Sequence, residues 1–205
     1  MTQIPTVRYI TRMETASESS REKIFQTALT QFSQKGYDCV GVQEICTLCE
    51  ITKPTLYYYF QSKLGLLESI IDFYGEKLLA LLNTAAEYKH DFILHLTDLL
   101  NAQVHFAEEN PEFFKLQNYL ENSPIESPGF ITHQKLQNQI DNIYLELFKK
   151  CTAEFGNMKG FEKLYSKIFQ STSISTAKAV LSKSIVFSDE TAYRIIKCFV
   201  YGAAN

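Results

Sequence analysis

Apolar residues recur at intervals of three and four positions along almost the whole chain. This spacing places them on one face of an α-helix, whereas a half-buried strand would alternate at every second position. We find no convincing pair of strands, no internal repeat and no low-complexity tract. The apolar stripes predict an all-α fold of about nine helices, at about 20–35, 42–49, 53–59, 63–81, 91–108, 112–120, 131–155, 161–182 and from 188 onward.

Two segments depart from this regularity. Residues 1–18 are polar and aperiodic and include Pro5, which predicts a mobile N-terminal arm. A capping box of the type Ser-x-x-Glu follows at 19–22 and predicts that the first helix begins near residue 20. The polar run STSIST, at 171–176, weakens the prediction of one continuous helix over 161–182.

The second and third helices are short and lie close together in the sequence. Gly41 is available as the N-cap of the second helix, and Thr52 as the N-cap of the third. Pro54 falls in the first turn of the third helix, where its missing N–H does no harm. One longer helix followed by two short helices and a tight turn is the pattern of a helix-turn-helix, in which the second short helix enters the DNA major groove.

The third helix carries side chains suited to a nucleic acid. Leu56 and Phe60 are four residues apart and should anchor the helix to the core. Three adjacent tyrosines cannot all point the same way at about 100° per residue, so at least one must be exposed. Lysine supplies positive charge to phosphate, and the hydroxyls of threonine and tyrosine bond phosphate oxygens or base edges. We expect Lys63 and the backbone amides after Ser62 to form a further anion site.

Charge and composition change this picture little. The chain has 205 residues, 45% of them apolar, and a formal net charge of −3, so it can build a core and has no general attraction to polyanions. Residues 1–65 carry seven Lys/Arg and six Asp/Glu, so any basic surface is local and small. There is no apolar signal-peptide region and no apolar run of ~20 residues, which predicts a cytoplasmic protein without membrane partners.

The stretch GYDCVGVQEICTLCEITKPTLYYYFQSKLGLL, at 36–67, resembles the DNA-binding head of the tetracycline-repressor (TetR) family of bacterial transcriptional regulators. The resemblance covers about 20–67, and its most specific part is TKPTLYYYFQSKLGLL. It implies that Lys53, Pro54, Thr55, Tyr57 and Tyr59 contact operator DNA, that Lys63 binds phosphate, and that Gln43 reaches a base or phosphate. Thr52 and Tyr58 complete the expected DNA-binding set.

The sequence departs from the family pattern at a few positions. Glu50 stands where the family usually has glycine in the turn, so a left-handed backbone there would be strained. Gly41 stands where a Ser or Thr cap is usual, and Cys46 and Cys49 replace small apolar residues. None of these departures removes an expected DNA-contact position.

The remaining chain is expected to dimerise and to bind an effector. A two-fold pair of recognition helices would read successive grooves of palindromic double-stranded DNA, ~34–36 Å apart. The resemblance implies a repressor that forms a homodimer through its C-terminal helices and is released by a small molecule bound among the middle helices. Residues 92–155 are rich in aromatics, which suits an apolar or aromatic effector. We expect a head at 19–65 and a body at 66–205, with pocket candidates Phe106, Phe113, Tyr119 and Tyr144.

Two other functional classes stay open. A thiol- or metal-responsive DNA-binding sensor would use Cys39, Cys46 and Cys49, although a zinc site needs four ligands and neither histidine nor further cysteine lies nearby in the sequence. Cys46, Cys49, Cys151 and Cys198 fit the role of small core residues better. A helical protein without any role on DNA is the other alternative. No phosphate loop, nucleophile elbow or metalloprotease motif is present, so we expect no enzymatic activity, catalytic residue, metal or cofactor.

Overall fold

The structure, a computed structural model, describes residues 6–87, 90–152 and 158–201, with side chains from residue 19 onward. These residues form nine α-helices and no strand, which confirms the all-α prediction. None of these described helices combines the length and the hydrophobicity that a membrane-spanning segment needs. The helices are α1 (Thr6–Lys35), α2 (Val42–Cys49), α3 (Lys53–Phe60), α4 (Lys63–Ala85), α5 (Phe92–Glu109), α6 (Pro111–Glu121), α7 (Pro128–Thr152), α8 (Glu162–Leu181) and α9 (Asp189–Tyr201).

Helix α1 begins earlier than the sequence predicts. It starts at Thr6 and runs through the predicted capping box, which therefore does not mark a helix start. The Glu22 carboxylate instead accepts a hydrogen bond of 2.7 Å from the Gln26 side chain one turn later. No proline or glycine follows Pro5 before the end of α1, so nothing in the backbone chemistry interrupts the helix. Residues 1–5 of the predicted arm lie outside the described residues, and the mobility of the arm stays a prediction.

The first of two compact units comprises the chain up to Asp72 together with Lys115–Thr132. Helices α1, α2 and α3 pack against one another in this unit. The sequence predicts a division at 65/66, whereas here the head also includes most of α6 and the beginning of α7. Its apolar side chains with 0% exposure are Ile24, Ala28, Phe32, Ile45, Leu56, Leu66, Leu67, Ile70, Leu116 and Leu120.

The second unit comprises Phe73–Phe114 and the chain from His133 onward. Helix α5 packs against α8 and α9 and is the central element of this unit. Its core contains an aromatic cluster in which the Phe169 ring lies 6.3 Å from Phe148 and 5.0 Å from Phe199. A second group of rings forms where Phe113 stacks on Tyr74, with centroids 4.9 Å apart. Aromatic rings thus form part of the core of the body, together with many buried aliphatic side chains.

Helix α8 is continuous through the polar run STSIST. The hydroxyl of Thr172 donates to the carbonyl oxygen of Ile168, at 2.9 Å, and the hydroxyl of Thr176 donates to Thr172, also at 2.9 Å. The Ser173 hydroxyl donates to the carbonyl oxygen of Phe169 in the same way, at 3.1 Å. These bonds satisfy the hydroxyls within the helix, which removes the polar penalty of burying them. The predicted helix over 161–182 is therefore confirmed despite its composition.

Several polar side chains lie inside the second unit. The His95 ring is buried, and its Nδ1 lies 2.9 Å from the carbonyl oxygen of Ala85. His133 is also buried, but neither ring nitrogen has a hydrogen-bond partner among the described residues. Burial lowers the pKa of His133 to about 4, so the ring is neutral at pH 7. The Gln170 Nε2 is likewise buried without a hydrogen-bond partner among the described residues.

Candidate DNA-binding site

Helix α2 supports the site with an apolar face and presents a polar one. Ile45, Cys46 and Cys49 are buried, and Gln43 is exposed on the opposite side. Gly41 is the N-cap, with φ −90° and ψ 150°, and has no side chain to cap the helix. The two cysteines are therefore small core residues, as predicted.

Glu50, in the turn between α2 and α3, adopts the left-handed backbone conformation that is strained for a residue other than glycine. Glu50 has φ 57° and ψ 41°, and its N–H donates to the carbonyl oxygen of Thr47 at 3.2 Å. The N–H of Ile51 donates to the carbonyl oxygen of Cys46 at 3.0 Å, which closes the end of the helix. A residue with a Cβ occupies this conformation only at a cost, so the turn is strained.

We expect Glu50→Gly to raise the free energy of unfolding by about 1 kcal/mol, because glycine adopts the left-handed conformation without strain. Urea unfolding of the purified protein would measure this change. Glu50→Gln is the matched control, since it removes the exposed negative charge and keeps the strained backbone. Equal stabilisation by both substitutions would show that charge, and not backbone conformation, limits stability at this turn.

Helix α3 starts on the predicted cap and is held by the predicted anchors. Thr52 is the N-cap with extended backbone, and its hydroxyl lies 3.0 Å from the Thr55 hydroxyl. Pro54 occupies the first turn. Leu56 is 0% exposed and Phe60 is 3% exposed, so both side chains hold the helix against the core.

The outer face of α3 is open to solvent. Tyr57 is 43% exposed and Tyr58 is 80% exposed, whereas Tyr59 is half-buried. Lys53 and Pro54 are exposed at the start of the helix. The rings of Tyr58 and Tyr59 meet edge to face, with centroids 5.1 Å apart. A lysine and two tyrosine hydroxyls thus project from a helix that is fixed from behind.

The connection from α3 to α4 is tight. The Ser62 hydroxyl accepts from the N–H of Gly65 at 2.9 Å and caps α4, as predicted. The N–H of Ser62 donates to the carbonyl oxygen of Phe60 at 2.6 Å. A Cβ on Gly65 would lie only 2.2 Å from that same oxygen, so glycine is required where the backbones approach. The angle between α3 and α4 is therefore set by the backbone itself.

Lys63 is placed differently from a freely extended phosphate-binding lysine. Its Nζ lies 4.2 Å from the centroid of the Tyr37 ring, in a cation–π contact. Burial lowers the pKa of Lys63, while nearby Asp38 and Cys39 raise it. Ser62 already uses the Gly65 amide, which leaves fewer N–H groups for an anion at this helix start. Whether Lys63 contacts phosphate stays a prediction.

The structure adds a contact that the sequence did not reveal. Tyr119, in α6, donates a hydrogen bond from its hydroxyl to Asp38 Oδ2, at 3.2 Å, across 81 residues of sequence. Its ring covers Gly36, which has φ +84° and where a Cβ would lie 2.3 Å from the ring. The end of α1 is therefore shaped to receive a side chain from α6. Glycine at a helix end is an ordinary stop signal, but nothing in the sequence indicates that the Tyr119 ring covers Gly36.

The four pocket candidates do not form one group. Phe106 and Phe113 are buried in the second unit, with ring centroids 6.1 Å apart. Tyr144 is buried in the same unit, with its ring 6.3 Å from Phe169. Tyr119 belongs to the first unit, with the head. A pocket role for any of them stays a prediction.

Cys151 and Cys198, which lie outside α2, differ in their burial. Cys151 is buried as predicted, whereas the prediction for Cys198 was wrong, because this residue is exposed on α9. Helix α9 buries only Ala192 and Ile196, so most of its other side chains lack core contacts.

Burial raises the pKa of the Cys46 thiol, which makes it a poorer nucleophile. Within the described ranges, no three His, Cys, Asp or Glu side chains are grouped to hold a metal ion.

Comparison with known proteins agrees with this geometry. Residues 24–70 match the sequence model of the family described as "Bacterial regulatory proteins, tetR family". This segment is similar to the DNA-binding region of that family. The matched segment runs from the middle of α1 into α4 and contains the whole helix-turn-helix.

The curated proteins to which this chain is similar include several HTH-type regulators. It is 48% identical over 54 residues to the uncharacterised HTH-type transcriptional regulator YuxN of Bacillus subtilis, covering 26% of this chain and 19% of that protein. It is 30% identical over 95 residues to UidR of Escherichia coli, covering 46% and 48% respectively. The chain thus spans less than half of either relative. The biofilm operon negative regulator IcaR of Staphylococcus aureus is 29% identical over 143 residues, 65% of this chain and 74% of that one.

Solved structures extend the likeness of fold to the body. The TetR-family regulator PfmR of Thermus thermophilus has a TM-score of 0.70 at 19% identity, covering 89% of this chain and 99% of that one. FadR of Bacillus subtilis, solved in complex with stearoyl-CoA, has a TM-score of 0.72 at 15% identity, covering 88% and 98%. At these identities the comparison shows that the fold is shared.

Proposed function

We propose that this protein is a ligand-responsive transcriptional regulator of the TetR type, a repressor that binds palindromic operator DNA as a homodimer in the cytoplasm. A small apolar or aromatic effector releases it from the DNA. The observation that carries the proposal is the exposure of Tyr57 and Tyr58 on a helix anchored by Leu56 and Phe60. A solvated helix face with hydroxyls and a lysine is suited to a major groove.

The relatives support the direction of regulation and the existence of an effector. IcaR is named a negative regulator, and FadR was solved with an acyl-CoA bound. In this chain the body buries many aromatic side chains, which suits an apolar ligand. Differential binding of the effector to one arrangement of the two heads would shift the population away from the DNA-bound form.

The C-terminal helices offer a surface for the partner subunit. Exposed apolar side chains on α8 include Phe161, Leu164 and Ile168, at 55%, 52% and 45% exposure. On α9, Tyr193 and Tyr201 are 61% and 55% exposed. Large apolar side chains exposed on neighbouring helices are typical of a protein interface. We therefore assign the homodimer interface to α8 and α9.

Gel-shift titration with duplexes selected from a random pool would test DNA binding. We expect salt-sensitive binding to a palindrome, with the log of the affinity falling linearly with the log of the salt concentration. Lys63→Ala should weaken binding to all sequences alike, whereas Gln43→Ala and Thr55→Ala should change the preferred sequence. Uniform weakening by all three substitutions would contradict the base-reading roles. Absence of salt-sensitive binding to any duplex would contradict the proposed function.

A further inference from the structure

A tyrosine, an aspartate and a lysine from three separate segments lie close together in the head. Tyr119 belongs to α6, Asp38 follows α1 and Lys63 is the first residue of α4, and all three lie in the first compact unit. The Tyr119 hydroxyl donates to Asp38 Oδ2 at 3.2 Å. The Lys63 Nζ lies 4.2 Å from the centroid of the ring of Tyr37, the residue next to Asp38. The ammonium group is therefore a neighbour of the carboxylate that Tyr119 holds.

Lys63 and Asp38 attract each other without forming an ion pair. Burial lowers the pKa of Lys63, and the charge of Asp38 raises it, so the carboxylate acts on the ammonium. No carboxylate oxygen of Asp38, however, lies within 4.0 Å of Lys63 Nζ. An exposed pair of this kind contributes little, whereas a hydrogen bond to a charged acceptor is stronger than one between neutral groups. The hydroxyl of Tyr119 can therefore decide which partner Asp38 takes.

The Tyr119 side chain is held in place for this bond. Its ring covers Gly36, where a Cβ would lie 2.3 Å from the nearest ring atom, so only glycine leaves room for it. Burial and the nearby charge of Asp38 raise the pKa of Tyr119, so the hydroxyl keeps its proton and remains a donor. The seat at Gly36 and the bond to Asp38 together fix the position of both side chains.

We propose that Tyr119 is a positioning residue for DNA binding, whose hydroxyl holds the Asp38 carboxylate away from Lys63 and leaves the ammonium free to contact a DNA phosphate. This inference rests on the proposed function, because it concerns the phosphate contact expected of Lys63. Asp38 and a phosphate compete for the same cation, since both present anionic oxygens. The Tyr37 ring is a weaker partner, so the ammonium can leave it for the phosphate.

Tyr119→Phe gives the first test, because it removes the hydroxyl and keeps the ring over Gly36. The released Asp38 carboxylate should pair with Lys63 and compete with phosphate. We expect DNA affinity to fall about fivefold, the factor that corresponds to about 1 kcal/mol for an exposed ion pair. Fluorescence anisotropy with the selected palindrome would measure it. The melting temperature should change by less than about 4 °C, and unchanged DNA affinity would overturn the proposal.

A double-mutant cycle separates this role from a purely structural one. Asp38→Asn removes the competing charge, so Tyr119→Phe should cause no loss of affinity in that background. Glu44→Gln is the matched control. It also removes one negative charge from the head, but Glu44 is paired with Lys35, so Tyr119→Phe should still weaken binding about fivefold there. Equal weakening by Tyr119→Phe with and without Asp38 would show that the hydroxyl acts only through the fold, and would overturn the proposal.

A crystal structure of the Tyr119→Phe protein tests the rearrangement without DNA. We expect Lys63 Nζ to lie within 4.0 Å of a carboxylate oxygen of Asp38, the distance that defines an ion pair. An ammonium that stays over the Tyr37 ring, apart from Asp38, would overturn the proposal. Failure of the unmodified protein to bind any duplex would refute the proposed function. Binding of the palindrome by the unmodified protein and by Tyr119→Phe with equal affinity would refute only the role of Tyr119.

Discussion

Leu56→Ala should destabilise the head by about 3 kcal/mol and abolish operator binding, because it removes a fully buried anchor and leaves a cavity behind the recognition helix. Tyr58→Ala should weaken operator binding without destabilising the head. Its side chain is 80% exposed, so stability should change by less than about 0.5 kcal/mol. Operator affinity should nevertheless fall about tenfold or more, as a contact to DNA is lost. Urea unfolding and fluorescence anisotropy with a labelled palindrome would measure both effects.

This pair of substitutions separates two proposed roles of α3, packing against the core and contacting DNA. A stable Tyr58→Ala protein with unchanged DNA affinity would show that the outer face of α3 does not meet the duplex. A fully stable Leu56→Ala protein would show that α3 is not held by the core that the structure describes. Leu48→Ala is a control for the loss of a leucine side chain without a buried cavity, because Leu48 is 49% exposed on α2. Its stability should therefore change much less than that of Leu56→Ala.

Gly65→Ala should be severe, although it adds only one methyl group. The new Cβ would lie 2.2 Å from the carbonyl oxygen of Phe60, which is already bonded to the N–H of Ser62. That oxygen cannot move away without breaking the bond and changing the angle between α3 and α4. We expect a loss of about 3 kcal/mol in stability, at the upper end of the cost of overpacking. Differential scanning calorimetry and the anisotropy titration would detect it.

Gly41→Ser is the matched control for this substitution. No atom lies within 4 Å of a Cβ built on Gly41, and serine could cap α2. The serine variant should be at least as stable as the unmodified protein. Equal losses from Gly65→Ala and Gly41→Ser would mean that loss of glycine in general, and not the contact with Phe60, causes the effect.

The head could be predicted because its signals are local. Thr52, Pro54 and the pair Leu56 and Phe60 lie within nine residues, and each acts on its own turn of helix. Local capping and spacing rules suffice when the interacting groups are neighbours in sequence. The positive φ at Glu50 could also be anticipated, since the tight turn leaves few other conformations.

Other features depend on groups that are distant in sequence. The hydrogen bond from Tyr119 to Asp38 crosses 81 residues, and no periodicity connects them. The burial of the Gln170 side chain, with its Nε2 unpaired among the described residues, becomes visible only in the folded chain. The exposure of Cys198 depends on which faces of α9 find a partner, which an apolar stripe does not specify. Pattern identifies the buried face of a helix, but not what covers it.

The contact between Tyr119 and Gly36 bears on how the chain can be divided into fragments. Residues 115–132 are encoded well downstream of the segment 24–70 that marks the family, yet they complete the same compact unit. A fragment that stops at residue 70 would lack Tyr119. Gly36 would then be uncovered, and Asp38 would lose its hydrogen bond with the Tyr119 hydroxyl. The compact unit that contains the helix-turn-helix is therefore encoded by two separate stretches of the gene. Transferring this unit to another protein would require both stretches.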